Sequence, residues 1–123
     1  MADPIQCVVE RWAQAFNAHR LDDMQELFTD DASFQGFGPE VVIGGSSIRE
    51  YYGAVPGYRR AEDVAVLCSY LIGDGVAGGF LKVVFRDPSG WEAPVHLSLV
   101  VQREGEQWLI RQYHVSRMSA DHN

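Results

Sequence analysis

The sequence predicts an α+β domain in which helices cover one face of a curved antiparallel sheet, so that the domain forms a half-open cone. Three observations predict this class. An apolar stripe at helical spacing runs through the N-terminal part of the chain. A short strand pair and a small helix follow it. The second half consists of long β-rich segments joined by short turns, which is typical of an antiparallel meander.

Composition restricts the class of protein. A length of 123 residues predicts one domain, 1–123, whose tail from about residue 119 we expect to be frayed. The net charge of −7 argues against binding to a phosphate backbone, so no nucleic-acid partner is expected. We find neither an apolar run long enough to span a membrane nor a signal-peptide pattern, which predicts a cytoplasmic protein without membrane contact.

Capping residues and apolar spacing predict two N-terminal helices. Asp3 can cap the first helix, with Pro4 at its first position. A second helix is predicted over residues 21–28, and we expect Asp30 and Asp31 to stop it. The buried stripe of the first helix would consist of Ile5, Val8, Val9, Trp12 and Phe16.

Turn residues divide the remaining chain. Residues 32–37 and 41–43 read as a short strand pair, after which Ser46 or Ser47 can cap a third helix. Four long strands are predicted at residues 64–72, 76–86, 91–103 and 108–118. Turns rich in Gly, Asp and Glu separate them.

The strand APVHLSLVVQ contains the first candidate for chemistry. One of its faces carries His96 and Ser98, and the other is aliphatic throughout. Alternation fixes which residues share a face but does not say which face points inward. We assign the His96 face to a concave pocket and the Leu97 face to a dimer interface, and the reverse assignment stays open.

His96 would be the acid or base of such a pocket, because imidazole exchanges a proton near neutral pH. The alternative is a core histidine whose nitrogens bond to neighbouring groups. On the last strand, either Tyr113 or His114 could face the cavity. The side chains that we expect to line it are Phe16, Phe34, Tyr58, Leu81, Val83, Phe85, Ser98, Tyr113 and His114.

Motifs for metal or nucleophilic chemistry are missing from the sequence. No two histidines have the HxH or HExxH spacing, so no metal site is expected. There is neither a GxSxG elbow nor a CxxC pair. The sequence therefore predicts a protein that works without a cofactor.

Three segments carry a family resemblance: VVERWAQAFNAHRLDDMQELFTDDASF at residues 8–34, GGSSIREYY at residues 44–52 and EAPVHLSLV at residues 92–100. Together they resemble the bacterial ketosteroid isomerases. Those enzymes belong to the nuclear transport factor 2-like group, with the SnoaL-like polyketide cyclases and scytalone dehydratase. The resemblance implies an NTF2-like (cystatin-like) α+β barrel, a homodimer and an apolar cavity.

Only some of the isomerase site residues have a functional equivalent at the matching positions of this sequence. The helix-1 tyrosine that donates to the oxyanion matches Trp12, and a supporting tyrosine matches Tyr52. The protonated aspartic acid that is the second donor, a case long used to illustrate pKa tuning, matches His96. The aspartate base matches Gly36, or Gln35 if the alignment gap moves, and neither can take a proton from carbon.

Two functional hypotheses follow. In the first, the cone binds a small, largely apolar, cyclic carbonyl or hydroxy compound and catalyses cofactor-free proton transfer of the isomerase, dehydratase or cyclase type. His96 would be the acid and base, with Tyr52 and Trp12 polarising an oxygen and Glu40 as a displaced carboxylate base. This is not ketosteroid isomerisation itself, because the base is missing. In the second, the domain is a non-catalytic ligand-binding or dimerisation module.

Overall fold

A computed structural model describes residues 3–118, and the tail expected to fray lies outside the described residues. Three helices and six strands follow one another along the chain. In order they are α1 (Pro4–Asn17), α2 (Leu21–Glu26), β1 (Phe28–Gln35), β2 (Val42–Ile43), α3 (Gly45–Gly53), β3 (Arg60–Gly73), β4 (Val76–Arg86), β5 (Glu92–Glu104) and β6 (Gln107–Arg117).

Helix α1 forms as its sequence predicts. The Asp3 side chain accepts a hydrogen bond from the Ile5 backbone N–H at 2.9 Å and so caps the first turn, where Pro4 lacks a donor. The predicted apolar stripe is buried along the whole helix. The helix lies across the sheet and contacts β3, β4, β5 and β6.

The end of α2 differs from the prediction. The helix ends at Glu26, and Asp30 and Asp31 lie inside β1 as exposed strand residues rather than as helix stops. Pairing with β6 explains the difference. Ile110 donates its backbone N–H to the Leu27 carbonyl at 2.7 Å, so the strand begins at Phe28. Tertiary pairing here overrides the helix-stop chemistry of the two aspartates.

The cap of α3 also differs from the prediction. Gly44, not Ser46 or Ser47, is the N-cap residue, and no side chain bonds to the first turn. Gly44 has φ +94°, a conformation that a serine would adopt only with strain. A glycine is therefore needed where β2 turns into the helix.

The six strands form one curved, unclosed sheet in the order β2-β1-β6-β5-β4-β3. All pairs are antiparallel except β1 with β6, which is parallel, so the sheet is mixed rather than wholly antiparallel. The helices lie on its concave side, which gives the α+β cone that the sequence predicts.

The face assignment of β5 was wrong. Val95, Leu97, Leu99 and Val101 are buried beneath the helices, and His96 is exposed on the convex face. The aliphatic face releases more free energy on burial than the mixed one, about 25 cal/mol per Å² of apolar area, so it packs against the helices. Alternation shows only which residues share a face, and both faces of β5 carry apolar residues, so the pattern did not exclude the inward placement of His96.

No helix within residues 3–118 is both long and apolar enough to cross a membrane. The cytoplasmic location stays a prediction.

Candidate functional site

Aromatic rings fill the concave side of the cone. Trp12 lies 5.4 Å from Phe16, 6.0 Å from Phe85 and 6.1 Å from Tyr113, measured between ring centroids. Phe34 stacks on Tyr113 at 4.5 Å with the two planes nearly parallel. Such offset and edge-on contacts stabilise a core beyond the area that the rings bury. The deep end of the cone is therefore closed by packed rings.

One polar contact lies inside this aromatic core. The Trp12 indole Nε1–H donates to the Tyr52 hydroxyl oxygen at 3.0 Å, and both side chains are almost completely buried. The indole nitrogen has one proton and that proton is used, so Trp12 has none left for a ligand. Tyr52 accepts this bond and keeps its own proton to donate. Trp12 thus positions the Tyr52 hydroxyl instead of touching a ligand oxygen.

Burial keeps two tyrosines neutral. It raises the pKa of Tyr52 well above the ordinary value of 10.0, although the hydrogen bond from Trp12 opposes the shift. Burial likewise raises the pKa of Tyr113, whose side chain interacts with that of Tyr52. Both phenols therefore remain protonated hydrogen-bond donors at any physiological pH.

The position matched to the isomerase base is blocked. A Cβ atom at Gly36 would lie 2.1 Å from the Tyr51 hydroxyl oxygen. Tyr51 is held there because its hydroxyl accepts the Phe37 backbone N–H at 3.0 Å and its ring packs edge-on against Phe34. A phenol thus takes the space in which a carboxylate side chain would begin.

A small hollow remains between these rings and the loop that follows α3. Its free volume is about 20 Å³, room for about one water molecule. Hydroxyl-bearing and apolar side chains form most of its wall, with one arginine at the mouth. The lining residues are Phe16, Phe37, Tyr51, Tyr52, Val55, Arg59, Phe85, Tyr113 and Val115.

The structure brings four predicted site residues together in this hollow: the lining residues Phe16, Phe85 and Tyr113, and Tyr52, which was predicted to polarise an oxygen. Four others lie in the buried core behind it, namely Trp12, Phe34, Leu81 and Val83. The structure also decides between Tyr113 and His114 on the last strand, because Tyr113 is buried on the inner face and His114 is exposed on the outer one.

The other predicted site residues do not reach the hollow. His96, Ser98 and His114 line a shallow groove on the convex face of the sheet, together with Leu67 and Phe80. The interior location predicted for these three residues was therefore wrong, and the reason is the reversed face of β5.

Two further candidates lie on loops. Tyr58 is 59% exposed on the loop that follows α3, so its predicted place in the lining was wrong. Glu40 is exposed on the turn before β2. Loop residues carry no period-two alternation, so no pattern indicates whether their side chains point inward or outward.

Five lining residues were not among the predicted site residues: Phe37, Tyr51, Val55, Arg59 and Val115. Val115 shares a strand face with Tyr113, so the correct parity of β6 would have found it. Phe37, Val55 and Arg59 lie outside regular strands, where no periodic signal exists. For Arg59, the one signal in the sequence was its position next to Arg60, because two adjacent cations stand out in an acidic chain.

The hollow contains no group that titrates near neutrality. Its described lining includes neither a histidine nor a carboxylate. Within residues 3–118, no three His, Cys, Asp or Glu side chains lie close enough together to share a metal ion. The arrangement can donate hydrogen bonds from phenols and offer one guanidinium, but it holds no proton acceptor for carbon acids.

Solved structures with the same fold confirm the architecture. A ketosteroid isomerase-like protein from Erwinia carotovora atroseptica superposes with a TM-score of 0.80 at 16% identity, covering 94% of this chain and 95% of that one. A domain of unknown function with a cystatin-like fold from Nostoc punctiforme gives 0.81 at 18% identity, covering 95% and 76%. A putative calcium/calmodulin-dependent protein kinase type II association domain from Thiobacillus denitrificans gives 0.78 at 18% identity, covering 95% and 97%.

No curated protein sequence matches the chain significantly. The SnoaL-like domain family does match, over residues 5–121 and thus over almost the whole length. That match agrees with the α+β architecture described above. The chain belongs to the SnoaL-like domain family, within the nuclear transport factor 2-like superfamily.

Proposed function

We propose that the cone binds a small, mostly apolar compound bearing a carbonyl or hydroxyl oxygen, and that it does so without catalysing proton transfer. The observation that supports this proposal is the hollow in which Tyr51, Tyr52 and Tyr113 meet between apolar side chains. Concave sites with apolar walls and a few convergent polar groups are the usual form of small-molecule sites.

The phenols account for recognition of the oxygen. Tyr52 accepts from Trp12, so its remaining proton is available for a second partner. A neutral phenol in a dry site donates strongly to a carbonyl or hydroxyl oxygen. A ligand without such an oxygen would leave the remaining Tyr52 proton without that partner, at a cost of about 1–3 kcal/mol.

The lack of a base favours binding over catalysis. The isomerase, dehydratase and cyclase reactions each need a group that removes a proton, and the hollow supplies phenols whose pKa is raised, not lowered. His96 lies on the opposite face of the sheet, with its own strand between it and the hollow. The catalytic hypothesis therefore lacks a group that accepts the proton, although the tyrosine hydroxyls that would donate to the ligand oxygen are present.

A ring-sized ligand needs more space than the hollow offers. Its outer wall includes Val55 and Arg59, on the loop between α3 and β3, which follows Gly53 and contains Gly57. Both side chains are half-buried, whereas the deep wall is fully packed. We therefore propose that the ligand enters by displacing this loop and not by opening the aromatic core.

Thermal shift and hydrogen exchange with cyclohexanone test the proposal. Binding raises the melting temperature by mass action, and a ligand well above its Kd gives a shift of several degrees. The NMR signal of the α-hydrogens in D₂O reports proton transfer at carbon. We expect a shift without enzyme-dependent exchange. Exchange that is lost in Tyr52→Phe would instead establish the catalytic hypothesis.

A variant that fills the hollow serves as the matched test of location. Val55→Trp should abolish the thermal shift, since a larger side chain on the lining loop occupies the ligand's place. Val41→Trp is the control, because Val41 is exposed on the turn near β2. An unchanged shift in Val55→Trp would show that cyclohexanone binds elsewhere.

We also propose that two copies of the chain associate through the convex face of the sheet. Leu67 and Phe80 are 55% and 49% exposed there, beside His96, Ser98 and His114. Clustered apolar side chains on a surface mark interaction sites. The structural neighbour from Thiobacillus denitrificans is named as an association domain, which supports a second copy as the occupant.

Sedimentation at micromolar concentration tests this association. Phe80→Asp should convert a dimer into a monomer, because it places a carboxylate at the centre of the apolar groove. Tyr58→Asp is the control, since Tyr58 is equally exposed but lies on the loop after α3. A wild-type chain that sediments as a monomer at 100 µM, a concentration on the order of the dissociation constants of weak complexes, would refute the proposal.

A further inference from the structure

Arg59 at the mouth of the hollow differs from the other arginines. Its Nε is buried and has no hydrogen-bond partner within residues 3–118, the one such side-chain atom found there. A buried donor without a partner costs free energy, more so when it belongs to a cation. The guanidinium lies over the Trp91 ring, with its carbon 4.4 Å from the ring centroid. The ring holds the charge in place without using its N–H donors.

The carboxylates nearby do not neutralise this charge. Asp87 is close enough for Arg59 to contribute to the lowering of its pKa, behind the larger effect of the Ser89 hydroxyl. Its Oδ1 already accepts the Ser89 backbone N–H at 2.8 Å, the Ser89 hydroxyl at 2.5 Å and the Trp91 N–H at 3.3 Å. No ion pair joins Arg59 to a carboxylate in the described part of the chain.

A second arginine packs on a ring that lines the hollow. The guanidinium carbon of Arg117 is 5.1 Å from the centroid of the Phe37 ring, and Phe37 lines the hollow. Residues 3–118 contain no ion pair of Arg117 either. Most arginines in this acidic chain are paired: Arg86, for example, bonds to Glu62, Asp63 and Glu92. Arg59 and Arg117 instead lie over aromatic rings.

From this arrangement we infer that the ligand of the cone is a small cyclic carboxylate, whose carboxylate binds Arg59 at the mouth while its apolar ring enters the hollow. This inference rests on the proposed function and adds the charge of the ligand to it. The planar guanidinium fork matches a carboxylate in shape and offers two parallel N–H donors. The apolar wall beneath it, with Phe85 and Val115, suits the ring.

The charge balance favours a monoanion. The chain carries a net charge of −7, so a dianionic phosphate is repelled more strongly at long range than a single carboxylate. Arg117 over Phe37 adds a second positive charge at the rim, which strengthens local attraction for an anion. Carboxylate binding should consequently weaken as salt is added, since the mouth is open to solvent.

Calorimetry with cyclohexanecarboxylate and cyclohexanecarboxamide tests the inference. The two probes have nearly the same shape and differ in charge. We expect the carboxylate to bind the wild-type chain about tenfold to a hundredfold more tightly, as charge-assisted hydrogen bonds do. Arg59→Gln should remove this preference, and Arg60→Gln should keep it, because Arg60 pairs with Glu62 instead of facing the hollow. Salt should weaken binding of the carboxylate alone.

The possible failures are distinguishable. Equal affinity for the two probes in the wild-type chain, or an unchanged preference in Arg59→Gln, overturns the role of Arg59 and leaves binding in the cone intact. The salt dependence of the wild-type chain tests the same point without a variant. If neither probe binds at millimolar concentration, the proposed function fails and the inference fails with it.

Discussion

The Tyr51 hydroxyl oxygen lies 2.1 Å from the point at which a side chain at Gly36 would begin. No side chain fits at residue 36 unless Tyr51 moves, and Tyr51 is fixed by its bond from the Phe37 N–H and by its contact with Phe34. The two residues form one packing unit at the end of β1. The site of the isomerase base is thus closed by a neighbouring side chain, in addition to lacking the aspartate.

The first prediction concerns this packing unit. Gly36→Ala should lower the free energy of unfolding by about 1–3 kcal/mol, as overpacking of a tight site does. The cost should shrink when the same change is made in a Tyr51→Ala background, because the clashing ring is gone. Urea denaturation of the four proteins in this cycle measures the coupling. Equal costs in both backgrounds would contradict the contact.

The second prediction concerns the hydrogen bond between Trp12 and Tyr52. Tyr52→Phe leaves the buried Trp12 N–H without an acceptor and should lower the free energy of unfolding by about 1–3 kcal/mol. Tyr58→Phe, the same change on an exposed loop, should alter it by less than about 0.5 kcal/mol. Chemical denaturation compares the two. Equal stability of both variants would show that the bond does not stabilise the fold.

The third prediction is a loss of stability at alkaline pH. The folded-state pKa values of Tyr52 and Tyr113 lie above the ordinary value of 10.0, so the folded protein holds these protons longer than the unfolded chain. Their contribution to stability is complete below pH 10 and falls as the pH rises above it. The unfolding free energy can be measured from pH 8 to 11.5, a range that extends to within about two units on either side of the ordinary tyrosine pKa. It should stay level up to about pH 10 and decline above it.

Tyrosinate absorbance provides the control for this prediction. Tyr52 and Tyr113 should ionise only as the protein unfolds, because burial raises the pKa of both phenols. Tyr52→Phe should reduce the steepness of the alkaline decline, and Tyr58→Phe should not. Ionisation of all five tyrosines near pH 10 in a folded protein would contradict the burial of these two phenols.

The fourth prediction contrasts two neighbours on β5. Leu97→Ala should cost about 2–5 kcal/mol in unfolding free energy, because Leu97 is completely buried under the helices. His96→Ala, one residue away, should cost less than about 0.5 kcal/mol in the monomer and leave binding in the cone unchanged. Thermal denaturation of both variants tests the direction of the strand. A large loss for His96→Ala with a small one for Leu97→Ala would reverse the assignment.

The helices and the long strands could be predicted from the sequence better than the site could. The stripe from Ile5 to Phe16 is buried as predicted, because one amphipathic helix has one possible inner face. On β5 both faces carry apolar residues, so alternation alone could not say that Leu97 points inward. That single reversal moved His96, Ser98 and His114 to the convex face together.

Contacts between residues that are far apart in the sequence could not be predicted from local patterns. The closeness of Gly36 and Tyr51 arises from the packing of α3 against β1, and the parallel pairing of β1 with β6 brings together segments from opposite ends of the chain. The buried Nε of Arg59 depends on Trp91, which lies on another loop. Sequence spacing contains no information about such long-range pairs.

Methyl and ring NMR shifts on titration with cyclohexanecarboxylate test the central claim most directly, since they locate the ligand. If the cone is the binding site, the signals of Val55, Val115 and the Phe85 ring should move together with increasing ligand, while the signal of Leu67 on the convex face stays in place. Shifts confined to Leu67 and the groove around His96, with Val55 and Val115 unmoved, would contradict the claim.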